Sequence, residues 1–350
     1  MTRPDICVVG GGLLGRCLAW RASKTGARVV LYDAASSNGE GSAAWVAAGM
    51  IAPISEALDA APQVEFMGRR SLALWPQWLA ELPVPVFYRN DGTLILWHHE
   101  NSAEAVRTEK LLAVHRLHAN AESIEGTNLS KLEPALGTRF SRALHIAGEA
   151  QVDNRALLEA VALALAESNV ECHWETFVAD DALPDAGIVV DCRGMGAKRA
   201  WPQLRGVRGE IIRLHAPDIE LRHMLRLLHP RYAVYIVPRA EGRLVVGATS
   251  IESDDTSSIS VRGVLELLSS AYSVLPDLAE ARILEFNTQV RPALPDNSPA
   301  IHFDRKHSVL RVNGLYRHGF LLTPAIVEEV LAFISTATSM PIQEKAHACL

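Results

Sequence analysis

Hydrophobic and polar positions alternate in a recognisable rhythm at the amino terminus of the chain. Residues 5–9 form a short apolar, β-branched run, which predicts a buried strand. Three glycines follow, and residues 13–24 then have the apolar spacing of a helix. A second apolar run, residues 28–32, has Asp33 at its carboxyl end. The pattern predicts a strand, a helix and a second, parallel strand.

Later segments of the chain give further elements by the same reasoning. Helices are predicted over about 62–82, 102–118, 153–168 and 260–275, and strands over 92–97, 187–192, 210–214, 233–237, 243–247 and 308–312. The strand-like runs between 205 and 250 lack intervening helices, which indicates an antiparallel sheet. For the last helix, Thr323 is predicted as the N-cap and Pro324 as the first helical residue.

Composition excludes several classes of protein. The 350 residues are 49% hydrophobic and 21% charged, as in a globular protein of two domains, and no stretch is expected to be long and apolar enough to span a bilayer. A net charge of -6 with scattered basic residues argues against nucleic acid or an anionic membrane as a partner. The number of subunits stays open, a homo-oligomer included.

Cysteine usage indicates a reducing compartment. The five cysteines are far apart and form no C-x-x-C pair: Cys7, Cys17, Cys172, Cys192 and Cys349. Neither a disulfide framework nor a metal site is predicted from this spacing. We therefore expect a cytoplasmic protein without a bound metal.

A glycine fingerprint connects the first strand to the first helix. Gly10 would permit a tight turn, Gly12 would let the backbone approach a pyrophosphate, and Gly15 would allow the helix to pack closely on the strand. Asp33 would accept hydrogen bonds from a ribose hydroxyl group. The alternatives are that the glycines form an ordinary tight turn and that Asp33 is a surface carboxylate. The motif predicts a dinucleotide site but does not separate FAD from NAD.

Several segments, in the same order along the whole chain, resemble the glycine oxidase / D-amino acid oxidase family of FAD-dependent oxidoreductases, close to the glycine oxidases of thiamine biosynthesis. The matching segments are Ile6–Gly15, Ala47–Pro53, Val152–Leu158, Arg208–Glu210, Tyr235–Arg239, Val245–Thr249, Gln289–Pro292 and Gly314–Gly319. The resemblance implies a mixed α/β fold of two domains. A Rossmann-like FAD-binding domain with a parallel sheet (1–54, 141–203 and 292–350) would be interrupted by a substrate-binding domain with a largely antiparallel sheet (55–140 and 204–291).

The resemblance also implies how FAD would be held. The implied FAD-binding residues are Gly10, Gly12, Leu13, Leu14, Gly15, Asp33, Ser42, Ala43, Ala44, Gly49, Met50, Val178, Gly194, Gly196, Arg317, His318, Gly319, Phe320 and Leu321. The last helix would direct its positive end toward the flavin pyrimidine. No histidine precedes His98 and no cysteine lies between Cys192 and Cys349, the regions where related flavoenzymes attach the ring covalently. FAD is therefore expected to be bound noncovalently.

Three residues match the substrate side of the family's site. Arg291 falls on the arginine that binds the substrate carboxylate through two parallel hydrogen bonds, and Tyr235 falls on a tyrosine that joins it. Arg317 falls on a second arginine at the flavin and substrate mouth. The alternatives are that each arginine forms only a surface or interdomain salt bridge and that Tyr235 is only a packed strand residue. Relatives can carry a polar or bulky residue at the position of Ala233, and glycine oxidases can carry methionine at the position of Ser250. The pocket for the substrate's side chain can therefore differ, and the identity of that side chain stays open.

The implied reaction is the oxidation of glycine, sarcosine or a small D-amino acid to an imine, which hydrolyses to a 2-oxo acid and ammonia or an amine, with oxygen reduced to hydrogen peroxide. No side-chain base is expected, because none of the three residues matched to the substrate side is a histidine or a glutamate. A dehydrogenase with another electron acceptor would share every motif. A transfer-RNA-modifying flavin domain and a catalytically silent FAD-binding protein are further alternatives.

Overall fold

The computed structural model describes residues 3–58, 60–230, 234–305 and 307–339. Within these residues the strands are β1 (Ile6–Val9), β2 (Val29–Tyr32), β3 (Met50–Ile51), β4 (Tyr88–Arg89), β5 (Thr93–Leu96), β6 (Ala121–Glu125), β7 (Arg142–Ile146), β8 (Ala150–Val152), β9 (Glu171–His173), β10 (Ile188–Asp191), β11 (Arg205–His215), β12 (Met224–Leu227), β13 (Val234–Pro238), β14 (Arg243–Gly247), β15 (Ile251–Glu252), β16 (Arg282–Ala293), β17 (Ala300–Asp304) and β18 (Val309–Asn313). The α-helices are α1 (Leu13–Ser23), α2 (Ala43–Val46), α3 (Pro53–Ala57), α4 (Pro62–Ala80), α5 (Ser102–Val114), α6 (Gly126–Leu132), α7 (Asn154–Ala166), α8 (Val261–Val274) and α9 (Gly319–Ser339).

A six-stranded sheet carries the predicted βαβ unit. Its strand order is β17-β18-β10-β1-β2-β9, and every pair is parallel except β17 with β18. The strands are short and apolar on both faces: Val8 and Leu31 are fully buried in one cluster with residues of α1, α7 and α9, whereas Cys7 and Val9 face the other way and pack against Val178. Asp153 begins α7 by accepting hydrogen bonds from the amides of Arg155 and Ala156, both at 3.0 Å. The parallel sheet predicted from the sequence is confirmed.

A nine-stranded sheet forms the second layer of the molecule. Its main path is β15-β11-β14-β13-β12-β5-β7-β6, with β16 paired along the other edge of β11. Every pair except β12 with β5 is antiparallel. One of its strands, β7, lies inside the segment 141–203 that was assigned to the FAD-binding domain. The division of the chain at the proposed domain boundaries stays a prediction.

The last helix begins earlier than predicted. The structure starts α9 at Gly319, so Pro324 lies inside the helix and Thr323 is not its N-cap. Proline cannot donate to the carbonyl four residues before it. Here that carbonyl, of Phe320, accepts a hydrogen bond from Nε1 of Trp75 at 2.9 Å, and the Thr323 hydroxyl donates to the Gly319 carbonyl at 2.7 Å. A side chain of α4 therefore satisfies the group that would otherwise end the helix.

The same helix corrects a second expectation. Gly319–Thr336 is long and apolar enough to cross a membrane by length and composition, with a mean hydropathy of 1.5, whereas no such stretch was expected. Of that segment 56% is buried within the protein, where α9 packs against α1 and α4. Core helices share this composition, because they are apolar on all sides.

Candidate active site

One cavity of about 860 Å³ connects the two sheets. Its floor at one end is formed by residues that follow the parallel strands: Gly10 after β1, Asp33 after β2, Cys192 after β10 and Asn313 at the end of β18. Because parallel strands end at the same edge of a sheet, these residues meet there although they are far apart in sequence. Tyr235 and other residues of the nine-stranded sheet line the opposite end.

The three fingerprint glycines differ in what surrounds them. A Cβ atom at Gly10 would lie 2.6 Å from the Cys192 carbonyl carbon, and one at Gly15 would lie 1.8 Å from the Gly10 oxygen. Both positions thus require glycine for close backbone packing. A Cβ at Gly12 would meet no atom within 4 Å, and Gly12 lines the cavity. The backbone of Gly12 therefore faces the space that a pyrophosphate needs, so these residues fit a bound dinucleotide.

Asp33 helps to shape this end of the cavity. One carboxylate oxygen accepts from the amide of Gly11 and the other from the amide of Ala35 at 2.6 Å. Asp33 is half-buried and lines the cavity, and an ionised carboxylate oxygen can accept more than one hydrogen bond. The surface-carboxylate alternative is therefore disfavoured, because Asp33 organises the glycine loop.

Arg193 holds two of the predicted cofactor segments together. Its Nη1 donates to the carbonyl of Val178 at 3.0 Å, and its Nη2 lies 2.6 Å from Asp180 and 2.8 Å from Asp191. The segment around Val178 is thus fixed beside the loop that begins at Gly194. Sequence reasoning did not identify Arg193 as the residue that joins these segments.

Asn313, at the end of β18, joins the loop before α9 to the loop at Gly194. Asn313 donates from Nδ2 to the carbonyl of Gly194 at 2.9 Å and accepts from the amide of Gly314 at 2.9 Å. This side chain therefore sets the distance between two cofactor loops. Gly319, the first residue of α9, lines the cavity, so the positive end of that helix lies there, five residues before Pro324, the first helical residue predicted.

Most of the predicted site residues lie along this one cavity. Those that line it are Gly10, Gly12, Leu13, Leu14, Asp33, Ser42, Ala43, Ala44, Gly49, Met50, Val178, Gly194, Gly196, Tyr235, Arg291, Arg317, Gly319, Phe320 and Leu321. Gly15 and His318 do not line it: Gly15 packs under Gly10, and His318 is buried behind the loop. Ala233 lies outside the described residues. The assignment of individual residues to FAD or substrate stays a prediction.

Arg291 and Tyr235 come together from different strands of the nine-stranded sheet. Arg291 is half-buried, donates from Nη1 to the Thr249 carbonyl at 3.1 Å, and makes no ion pair with a carboxylate among the described residues. Burial lowers its pKa, and burial raises the pKa of the Tyr235 phenol against the opposing charge of Arg291. A cation without a protein counter-ion beside a phenol is suited to bind a carboxylate.

Arg317 has a carboxylate partner that sequence reasoning missed. Its Nε lies 3.3 Å from Oε2 of Glu56, which lines the same cavity, and Nδ1 of His318 lies 3.2 Å from the same oxygen. Although burial opposes ionisation, Arg317 and His318 hold the pKa of Glu56 well below its usual range. Arg317 therefore has a carboxylate partner in the protein, whereas Arg291 makes no ion pair among the described residues. The roles of both arginines stay predictions.

Glu56 is held by the short helix α3. The buried carboxylate of Glu149 accepts from the amides of Ile54 and Ser55, at 2.8 and 2.7 Å, and from the Ser55 hydroxyl at 2.6 Å. Arg226 donates to the Ser55 carbonyl at 2.5 Å and lies 4.0 Å from Glu56. The five-residue helix is thus fixed by side chains at both ends, and no local sequence signal gives these partners.

A dinucleotide cleft at the carboxyl edge of a parallel sheet, opening onto an arginine and a tyrosine of a second sheet, is the arrangement of an oxidoreductase that handles an anionic substrate. Residues 5–332 match the DAO family, described as FAD dependent oxidoreductase, and the chain belongs to that family. FAD is accordingly its cofactor.

Known proteins of this family resemble the chain over nearly its whole length. A Rhizobium etli protein that carries the name thiamine biosynthesis oxidoreductase ThiO is 39% identical to this chain, over 96% of this chain and 98% of its own length. Glycine oxidase of Geobacillus kaustophilus is 26% identical over 92% of this chain and 90% of its own. The crystal structure of that enzyme aligns with a TM-score of 0.85 over 96% of this chain and 95% of its own, at 24% identity. Iminodiacetate oxidase of Chelativorans sp. BNC1 aligns with a TM-score of 0.80 over 95% of each chain, at 23% identity.

Proposed function

We propose that this protein oxidises the α-carbon of a small amino acid or amine, with glycine, sarcosine and small D-amino acids as candidates, and that it serves thiamine biosynthesis. The products are a 2-oxo acid, ammonia or an amine, and hydrogen peroxide. The observation that carries the proposal is the pairing of Arg291 with Tyr235 at the end of the cofactor cavity. Relatives named ThiO and glycine oxidase support the substrate class.

The charges at the substrate end favour one form of the substrate. Four charged side chains act on the Tyr235 phenol, and three of them, Arg291, Arg317 and Glu56, line the cavity and together carry one positive charge. The fourth, Arg213, is also positive and does not line the cavity. The positive charge around Tyr235 complements a substrate with one carboxylate and a neutral amine. A neutral amine has the lone pair that becomes part of the imine as the α-hydrogen leaves.

The residues of this chain act by binding and orientation. Arg291 is placed to hold the carboxylate through its paired N–H groups, and the Tyr235 hydroxyl adds a hydrogen bond to the same group. When bound, FAD supplies the acceptor for the two electrons and the hydrogen of the α-carbon. Two fixed points on the substrate leave its α-carbon little freedom to turn, and such positioning lowers the barrier without a side-chain base.

The setting of the enzyme is part of the proposal. We place it in the cytoplasm, with FAD held noncovalently and with neither nucleic acid nor membrane as a partner. The net charge of -6 and the burial of α9 within the protein support this setting.

Oxygen uptake tests the proposed function and its main alternative. The purified yellow protein is mixed with glycine, sarcosine, D-alanine and D-proline in separate assays, and oxygen, peroxide and ammonia or methylamine are measured together. We expect one peroxide for each oxygen consumed with at least one substrate. Reduction of an artificial acceptor dye without oxygen uptake would identify a dehydrogenase instead.

A further inference from the structure

Two glycines lie directly beneath the proposed substrate-binding side chains. A Cβ atom at Gly209 in β11 would lie 2.2 Å from Nη2 and 2.3 Å from Cζ of Arg291. A Cβ atom at Gly247 in β14 would lie 2.6 Å from the hydroxyl oxygen and 2.7 Å from Cζ of Tyr235. Any side chain at either glycine would therefore occupy the place of the guanidinium group or the phenol ring.

Strand register puts these four residues on one face of the sheet. Tyr235 is directly opposite Gly247, and Gly247 is directly opposite Ile211. Arg291 is opposite Val207, so Gly209 is its diagonal neighbour. Directly opposed residues in antiparallel strands share a face, as do residues two apart in one strand. The glycines thus leave two neighbouring depressions in the face that lines the cavity.

A second set of contacts fixes Arg291 above Gly209. Its Nη1 donates to the Thr249 carbonyl at 3.1 Å. Thr249 is tied to the residue after Gly209, since the Glu210 amide donates to Oγ1 of Thr249 at 2.9 Å and the Thr249 amide donates to the Glu210 carbonyl at 3.2 Å. Arg208 in turn donates to the buried Glu210 carboxylate at 2.9 Å. The segments Arg208–Glu210 and Val245–Thr249 are therefore one frame around the guanidinium group.

We propose that Gly209 and Gly247 are positioning residues for substrate recognition: their missing side chains let the Arg291 guanidinium and the Tyr235 ring lie flat on the sheet. The inference rests on the proposed function, because it assigns these glycines to carboxylate binding. A methyl group at Gly209 would meet the end of a flexible side chain rather than backbone. The strand can therefore accept alanine, while the guanidinium group must move away from its site.

A double-mutant cycle tests Gly209. Gly209→Ala, Arg291→Ala and the double variant are purified with FAD, and kcat/KM for glycine is measured. Acetate affinity, followed by the change in flavin absorbance, gives a readout that needs no turnover. We expect Gly209→Ala to lower kcat/KM and acetate affinity about ten- to a hundredfold with normal FAD content, as displacement of a binding group by about 1 Å does. In the Arg291→Ala background, the same change should have no effect beyond about twofold.

The matched control is Gly206→Ala in the same strand. A Cβ atom there would lie 2.0 Å from Oδ1 of Asp254, whose side chain is 51% exposed, and 2.6 Å from Cγ1 of the buried Val290. The clash is again with side chains rather than backbone, but neither of them is the Arg291 guanidinium group. This variant should stay within about twofold of the parent. Gly247→Ala, measured with and without Tyr235→Phe, provides a second cycle of the same design.

Three results would overturn the inference: an equal loss from Gly209→Ala in both backgrounds, unchanged acetate affinity, or failure of the variant to fold with FAD. Failure of the proposed function has a different signature. In that case no amine reduces the parent flavin, while the acetate titration still reports whether Arg291 depends on Gly209.

Discussion

Removal of the Arg291 guanidinium group should abolish most of the recognition of substrate carboxylate while leaving FAD in place. Arg291 is half-buried, and its one side-chain hydrogen bond among the described residues, from Nη1 to the Thr249 carbonyl, leaves the remaining guanidinium N–H groups for a ligand. Loss of one partner from a buried ion pair costs about 3–5 kcal/mol. Because the site is partly open, we expect about 3 kcal/mol, or about two decades in kcat/KM, for Arg291→Ala.

The assay compares substrates with and without a carboxylate. Oxygen uptake is measured with glycine, D-alanine and benzylamine, and FAD content is read from absorbance. Turnover of benzylamine should hardly change, because the missing interaction was never made. Arg291→Lys should recover part of the loss, mainly through KM, since a lysine keeps the charge but not the paired geometry.

Arg262 provides the matched control. Its side chain also lines the cavity, but it is 71% exposed and lies 3.8 Å from Glu266. Arg262→Ala should stay within about twofold of the parent, as expected for an exposed ion pair. If Arg291→Ala leaves glycine and D-alanine oxidation within about threefold of the parent, the assignment of Arg291 is refuted.

Four further predictions address the cofactor and the missed carboxylate. Gly12→Val places a branched side chain in the space open to the pyrophosphate and should yield protein without FAD; a variant with full flavin content would contradict the assignment of the fingerprint. Acid precipitation should release all flavin to the supernatant, and colour retained in the pellet would refute noncovalent binding. Glu56→Gln removes a negative charge that lies 3.3 Å from Nε of Arg317, so the kcat/KM ratio of iminodiacetate, which has a second carboxylate, to glycine should rise at least about tenfold; an unchanged ratio would contradict this role. The pKa of Glu56 is lowered in the folded protein. Its ionised carboxylate therefore stabilises the fold above the usual glutamate pKa, and this contribution is lost as the pH falls through the pKa that Glu56 has in the folded protein. The Tm values of the parent and Glu56→Gln should accordingly converge on acidification.

Local patterns predicted the nucleotide end of the site well. The apolar run of β1, the glycine turn and the helix α1 are adjacent in sequence, so their geometry follows from short-range rules. The two glycines at 10 and 15 pack closely as the fingerprint requires. The parallel and antiparallel sheets also follow from the spacing of apolar runs, with and without intervening helices.

Contacts between distant segments set the limits of sequence reasoning. Glu56 lies on a five-residue helix whose N-terminal amides are satisfied by Glu149, 94 residues away from Ser55. The start of α9 depends on Trp75, which satisfies the carbonyl that Pro324 leaves without a donor. No window of sequence around Glu56 or Pro324 contains these partners, so propensity alone misplaced the helix and missed the carboxylate.

The central claim is tested most directly by anaerobic mixing of the purified protein with glycine, sarcosine, D-alanine and D-proline while flavin absorbance is followed. We predict that at least one of them bleaches the oxidised flavin band at a rate that saturates with substrate concentration, and that air restores the band with release of hydrogen peroxide. Flavin that stays fully oxidised with every amine of this series would contradict the account.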